Sequence, residues 1–297
     1  MSTKIQWCDK TWNPTVGCSR VSDGCRHCYA EQLAGTRLRH LPDYAGTTRL
    51  LTSGSPVWTG QINLLEERVP EPAKWKKPCR IFVNSMSDLF HESIPFDFLA
   101  RVFAVMHVTP QHTYQILTKR PKQAQKFFEW MKTAMPDERP FRELFPNVWL
   151  GVSVESQSEM WRVPELFRTP AAVRFVSAEP LLDALDFTHI ALGNNVYMNA
   201  LTGVITLAKM DETFILCSFP PMQGLDWLVV GGESGASARP CEMGWIENIV
   251  EQCRNAGVPV FVKQLGTVLA KTQQGADKKG GNIECFPDHL QVREYPR

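Results

Sequence analysis

Six short, nearly continuous apolar runs punctuate the chain from Arg80 onward, and each ends in a polar tip. They are Arg80 to Val83, Tyr114 to Leu117, Val148 to Val152, Val173 to Val176, Trp227 to Val230 and Val258 to Val262. Helix-like segments run over Pro95 to His107, from about Lys122 to Met135 and from about Glu242 to Ala256. A run without polar alternation reads as a strand buried on both faces, and strands alternating with helices read as a parallel sheet under helical cover. The pattern predicts an α/β fold: a complete or partial β/α (TIM-like) barrel with parallel strands and an N-terminal cysteine loop. One domain of that size uses nearly all of the 297 residues.

In such a barrel the tips after the strands collect at one mouth. The expected convergence brings together Ser85, Asp88, Lys119, Arg120, Ser153, Glu155, Glu179, Glu233 and Lys263, facing the cysteine loop. Lys119-Arg120 stands before Pro121 at a rigid tip and reads either as a phosphate or carboxylate site or as an exposed basic pair. Ser153 and Glu155 lie two apart and share a side if the strand continues. Glu179 and Lys263 read as a buried ion pair or as a proton-transfer pair. Gly231-Gly232-Glu233-Ser234-Gly235 reads as an amide cradle for a carboxylate or phosphate, with Glu233 accepting from an amine or hydroxyl, or as a plain turn.

Within a single domain over 1–297, the sequence divides into a cluster-binding loop and first helix over 1–34 and a long irregular segment over 35–79, broken by repeated Pro and Gly. A small β insertion, read as a hairpin pair ending at Pro220-Pro221, is expected over 183–224. Two short strands are expected in the first part of the chain, one between Ile5 and Pro14 and one over Trp58 to Leu64.

The cysteine loop holds Cys18, Cys25 and Cys28, three thiols within eleven residues and spaced Cys-x6-Cys-x2-Cys. Thiolates are soft ligands that suit zinc and iron–sulfur clusters. A 4Fe-4S cluster takes one thiolate per iron, so three cysteines leave one iron open for a substrate or for the amino and carboxylate groups of S-adenosyl-L-methionine. A structural zinc ion demands four ligands, and Cys8, ten residues before Cys18, is the candidate fourth. Nine cysteines make an odd set, and in a reducing compartment a metal site is a better reading of the cluster than a disulfide. Cys79, Cys217, Cys241, Cys253 and Cys285 are scattered and read as ordinary buried or half-buried thiols.

Charge adds little, because 32 Lys and Arg against 31 Asp and Glu leave +1 and no global nucleic-acid signature. A local basic surface is still compatible with that sum. The amino terminus lacks an apolar signal core, and no apolar run reaches membrane length, so the expected setting is cytoplasmic, with no membrane partner.

Taken together, Trp7, Thr11-Trp12-Asn13-Pro14, Gly17-Cys18, Gly24-Cys25, Cys28-Tyr29-Ala30, Gly231 to Gly235 and Phe261-Val262-Lys263-Gln264 resemble the phage- and prophage-associated three-cysteine-motif proteins, grouped with radical S-adenosylmethionine-like proteins. The resemblance spans nearly the whole chain except about 190–222 and the tail. It implies a radical S-adenosylmethionine enzyme with its cluster on Cys18, Cys25 and Cys28, served by an electron donor such as a flavodoxin or ferredoxin. A nucleotide or nucleic-acid substrate is the expectation from Lys119-Arg120, the aromatic content and the phage setting. His27 stands where the wider superfamily has an aromatic residue before the last cysteine, and Tyr29 follows that cysteine. Asn84-Ser85-Met86-Ser87-Asp88 stands where the superfamily has the Gly-Gly-Glu run that contacts the methionine amine; Asn, Ser and Asp oxygens can take that task. With the strand-tip residues, where Ser153 and Glu155 read as ribose or sulfonium contacts or as solvated strand-end caps, the candidate cofactor-binding set is His27, Tyr29, Asn84, Ser85, Asp88, Lys119, Arg120, Ser153 and Glu155, and the candidate catalytic set is Glu179, Glu233 and Lys263. Two other classes compete: a zinc-stabilised nucleic-acid-binding protein, and an inert scaffold that retains the fold.

Overall fold

In the computed structural model, residues 3, 5–134, 139–208, 214–216, 223–272 and 277–296 are described. The chain divides into two compact units, Met1–Val152 with Arg168–Ala172, and Ser153–Phe167 with Val173–Arg297.

The first unit is built on four parallel strands, β1 (Lys10–Trp12), β2 (Arg80–Val83), β3 (Thr113–Thr118) and β4 (Val148–Ser153), hydrogen-bonded in that order. Their register sets Lys10 opposite Ile81, Ile81 opposite Tyr114 and Tyr114 opposite Val148. Ile81 and Val83 are buried with Tyr114 and Ile116 on one face, and Phe82 and Gln115 are buried between them on the other, as strands covered on both faces require. The longer helices of this unit are α1 (Tyr29–Gly35), α2 (Phe96–Val108) and α3 (Pro121–Ala134). In α2 the buried Phe98, Leu99, Val102, Phe103 and Met106 fall on one helical stripe. Pro121 opens α3, where its missing N–H costs no helical bond. Phe103 meets Phe127 at 5.1 Å and Phe128 at 5.5 Å between ring centroids, so much of the aromatic content is core.

The expected strand over Trp58 to Leu64 is resolved into two. Pro56–Trp58 pairs with Thr48–Leu50, and Asn63–Leu64 pairs with Thr15–Val16. Gly60, at φ +88°, turns the chain between them, a conformation that breaks a continuous strand.

The second unit carries three more parallel strands, β5 (Val173–Ala178), β6 (Trp227–Gly231) and β7 (Val260–Gln264), again in order. Helices α4 (Arg162–Phe167) and α5 (Met243–Ala256) belong to it. Helix α5 buries Ile246, Ile249, Val250 and Cys253 and stops at Gly257, whose φ of +70° lets the last carbonyls be capped by the Gly257 and Val258 amides. The 183–224 region holds an antiparallel sheet of Ile190–Gly193, Val196–Asn199, Val204–Ala208 and Phe214–Leu216, in chain order. Met135, Cys217 and the expected end at Pro220-Pro221 lie outside the described residues.

The fold is thus mixed α/β, with seven parallel strands divided four and three. Among the described residues, no helix is long and apolar enough to cross a membrane.

Candidate functional site

The cysteine segment is tied to the tip after β2. Asn13, following β1, accepts from Ser85 Oγ at 3.2 Å and from the Met86 amide at 3.0 Å through its side-chain oxygen. Thr15 Oγ1 and Ser87 Oγ are 2.7 Å apart, and the Gly17 amide donates to Met86 O at 3.2 Å. Gly17 sits at φ +96°, and a Cβ there would lie 2.2 Å from Gln61 O, so only glycine fits. Cys18 follows at once. Cys25 closes a short 3-10 turn, Asp23–Cys25, and Cys28 is the extended residue capping α1. Cys28 packs against a small core of Val16, Ala30, Ala34, Tyr44, Leu65 and Met86.

Arg120 is the hub of this region. Its side chain is buried, yet it donates from Nε to Glu92 at 3.0 Å, from Nη1 to Asp88 at 3.4 Å, and from Nη2 to Ser19 O at 3.0 Å and Ser19 Oγ at 2.7 Å. Nη1 also stands 3.9 Å from Cys18 Sγ. Asp88 holds the guanidinium in place because its own carboxylate is fixed by Thr118 Oγ1 at 2.7 Å and by the Lys119 and Phe90 amides at 2.9 and 3.0 Å. His91 completes the group, with Nε2 at 2.9 Å from Ser19 Oγ.

A second cation, Arg20 of the cysteine segment, is held by a carboxylate on α1. Glu31 is wholly buried, forms a bidentate pair with Arg20, and accepts from the Trp58 amide at 2.8 Å. The Arg20 guanidinium is raised above its ordinary value chiefly by its hydrogen bonds to Glu31, with the Cys28 and Cys25 side chains adding to the shift.

Burial pushes the Cys18 thiol up to about 12, and the Asp88 charge adds to it while Arg120 pulls it down. Cys28 is also raised by burial, against the Glu31 and Ala30 amides and the Lys119 charge, which favour its thiolate. Cys25 contributes to both shifts, so the three sulfurs lie within electrostatic reach of one another. Thiols buried in this way deprotonate only where a cation or metal compensates the charge.

Among the described residues, no three His, Cys, Asp or Glu side chains converge to hold a single metal ion. A 4Fe-4S group would take each thiolate on a different iron, whereas one zinc ion would need its ligands to meet at a point. Cys8 is buried, with Sγ 3.8 Å from Ile5 O.

Of the remaining expected cofactor contacts in this unit, Tyr29 is exposed and donates from its hydroxyl to Ser85 O at 2.7 Å. His27 is half-buried in the turn before Cys28. Asn84 is buried in the left-handed region, φ +57°, a conformation Asn tolerates. Its Nδ2 donates to Thr15 Oγ1 at 2.7 Å, and its Oδ1 is a buried acceptor without a hydrogen-bond donor among the described residues. Asp88 is taken up by Thr118, Lys119 and Arg120, so its work is to place the guanidinium.

The other expected residues lie in the second unit. Glu155 and Arg162 are both fully buried and paired at 2.8 Å; the same guanidinium donates to Ser153 O at 2.9 Å. Glu179 and Lys263 form an ion pair at 2.9 Å, with Ser177 Oγ donating to Glu179 at 3.2 Å. Glu233 is held on both oxygens by Arg239, at 2.7 and 3.0 Å, and accepts the Arg239 amide at 2.8 Å. That carboxylate anchors the turn after β6.

Sequence reasoning missed Ser19, His91, Glu92, Arg20 and Glu31. Ser19 and Arg20 adjoin Cys18, and Glu31 falls in the first turn of the cysteine-capped helix, which was the available signal.

A family model described as "Protein of unknown function (DUF5131)" matches residues 2–287. No curated protein and no solved structure matches the chain.

Proposed function

We propose that this chain, which belongs to the DUF5131 family, holds a 4Fe-4S cluster on Cys18, Cys25 and Cys28, within a partial β/α barrel, and uses it to cleave S-adenosyl-L-methionine reductively. The substrate class that fits is a nucleotide or nucleic acid. The observation carrying the reading is the buried guanidinium of Arg120, locked by Asp88 and set 3.9 Å from Cys18 Sγ in the segment that bears all three cysteines.

Cys18, Cys25 and Cys28 would hold the cluster, which would supply one-electron reduction of the sulfonium and so cleavage of a carbon–sulfur bond, chemistry that belongs to the cofactor. The chain's contribution is electrostatic and positional. Arg120 offsets charge at Cys18, and Arg20 and Lys119 do so on the Cys25 and Cys28 side. The Tyr29–Ser85 hydrogen bond ties the start of α1 to the tip after β2. Asn84 Oδ1 is the acceptor on that tip suited to an ammonium group. In the second unit, Lys263 and Glu179 supply an acid and a base already sharing a hydrogen bond, the arrangement a proton transfer around a substrate requires.

Purification without oxygen tests the reading. Brown protein carrying iron and acid-labile sulfide, which makes 5′-deoxyadenosine when given dithionite and S-adenosyl-L-methionine, is the expected result. Cys25→Ala is expected to lose both colour and turnover. Colourless protein with one zinc, or a cluster that leaves S-adenosyl-L-methionine intact, overturns it.

A further inference from the structure

Ser19 is a hydroxyl with its acceptor capacity filled. His91 Nδ1 accepts the Ser93 amide at 3.2 Å, which assigns the ring proton to Nε2 and makes Nε2 the donor to Ser19 Oγ at 2.9 Å. Arg120 Nη2, which can only donate, reaches the same oxygen at 2.7 Å. A serine oxygen has two lone pairs, and both are now engaged. The Ser19 hydrogen must therefore point in the remaining direction. No acceptor for it stands among the described residues, although the residue directly follows Cys18 and shares Arg120 with it. Two buried donors thus turn an ordinarily rotating hydroxyl into a fixed one.

We propose that Ser19 is a hydrogen-bond donor to the sulfur-bearing group held by Cys18, aimed by His91 and Arg120, and that it raises that group's affinity for an electron. The proposal rests on the cluster reading above. Hydrogen bonds to the sulfurs of an iron–sulfur centre stabilise its reduced, more negative state and raise its reduction potential. Ser19 acts directly on the bound group, whereas His91 is a positioning residue that acts through Ser19.

The test is a potentiometric titration of the oxygen-free, iron-loaded full chain, followed by electron paramagnetic resonance. Ser19→Ala is expected to titrate at a more negative potential than the wild type, with iron and sulfide content retained. Ser19→Thr keeps the hydroxyl and is expected to restore the wild-type value. His91→Phe removes the aiming donor and is expected to shift the potential in the same direction as Ser19→Ala, by less. Iron-loaded Ser19→Ala titrating at the wild-type potential overturns this proposal and leaves the cluster reading intact. Failure of Ser19→Thr to recover the potential also overturns it. Wild-type chain that takes up no iron overturns both.

Discussion

Replacing Arg120 with Met removes a charge whose surroundings allow its cost to be worked out. Arg120 and Asp88 have side chains 5% and 9% exposed and form a 3.4 Å pair, whereas the other carboxylate partner, Glu92, is 61% exposed. Removing one member of a buried pair costs about 3–5 kcal/mol, because the other is left charged in a poor solvent. Asp88 keeps three donors, from Thr118, Lys119 and Phe90, which puts the cost near the lower limit. The exposed Glu92 contact adds less than about 1 kcal/mol. Arg120→Met is therefore expected to cost about 3 kcal/mol. With a urea dependence of about 3 kcal/mol per molar for a chain this long, the unfolding midpoint drops by about 1 M. Tryptophan fluorescence of metal-free protein in reducing buffer at neutral pH reads this directly. Arg120→Met combined with Asp88→Asn is expected to cost less than the sum of the two, by about 1–3 kcal/mol, since the pair is coupled. A midpoint for Arg120→Met within about 0.3 M of the wild type, equivalent to about 1 kcal/mol on the same scale, would refute the claim that this guanidinium is structurally committed.

Three further outcomes follow from the same geometry. Gly17→Ala forces a Cβ against Gln61 O in a left-handed backbone and is expected to cost at least about 2 kcal/mol, measured by the same urea titration; an unchanged midpoint contradicts it. His91 is lowered below its ordinary 6.5 by burial first and the Arg120 charge second, with Glu92 and Asp88 opposing. The unfolded chain therefore takes up that proton before the folded one, so this group's contribution is constant above 6.5 and falls as the pH drops below it, by at most about 1.4 kcal/mol per pH unit. Comparison of His91→Gln with the wild type across that range isolates the slope. Lys263→Met disrupts a partly exposed ion pair and is expected to cost about 1 kcal/mol in stability while abolishing substrate turnover; a variant that keeps full activity removes Lys263 from the catalytic set.

The parallel strands were legible because burial on both faces leaves an unbroken apolar run, as at Arg80 to Val83 and Trp227 to Val230. The bounds of α2, α3 and α5 follow from the stripes of Phe, Ile and Val with Pro or Gly at their ends. Strand β1 was harder to place, since two half-buried residues and one buried tryptophan carry no period of their own and owe their pairing to Ile81, Phe82 and Val83. Within the candidate site, Asp88 and Arg120 announced themselves by standing after strands. Their partnership did not, because a salt bridge across 32 positions leaves no local trace. Ser19 and His91 are 72 positions apart for the same reason. Glu31 reads as an ordinary acidic residue in a helix's first turn, and only the fold reveals that it is sealed from water and pinned to Trp58. Glu155 and Glu233 were singled out by position, yet each is bound to an arginine that sequence spacing did not flag.

Glu31 also determines where the chain tolerates editing. Because its carboxylate grips the Trp58 amide as well as Arg20, shortening the stretch around Pro56–Trp58 would loosen the helix that Cys28 caps, and a deletion meant to trim a loop would be felt at the sulfurs. The neighbouring hairpin tip is a different matter. Gly54 has nothing within 4 Å of where a Cβ would project, and the Leu51 amide closes the turn on Ser55 O. A short tag or reporter spliced in at Gly54 would leave that anchorage undisturbed and give an attachment point for following the protein through oxygen-free handling.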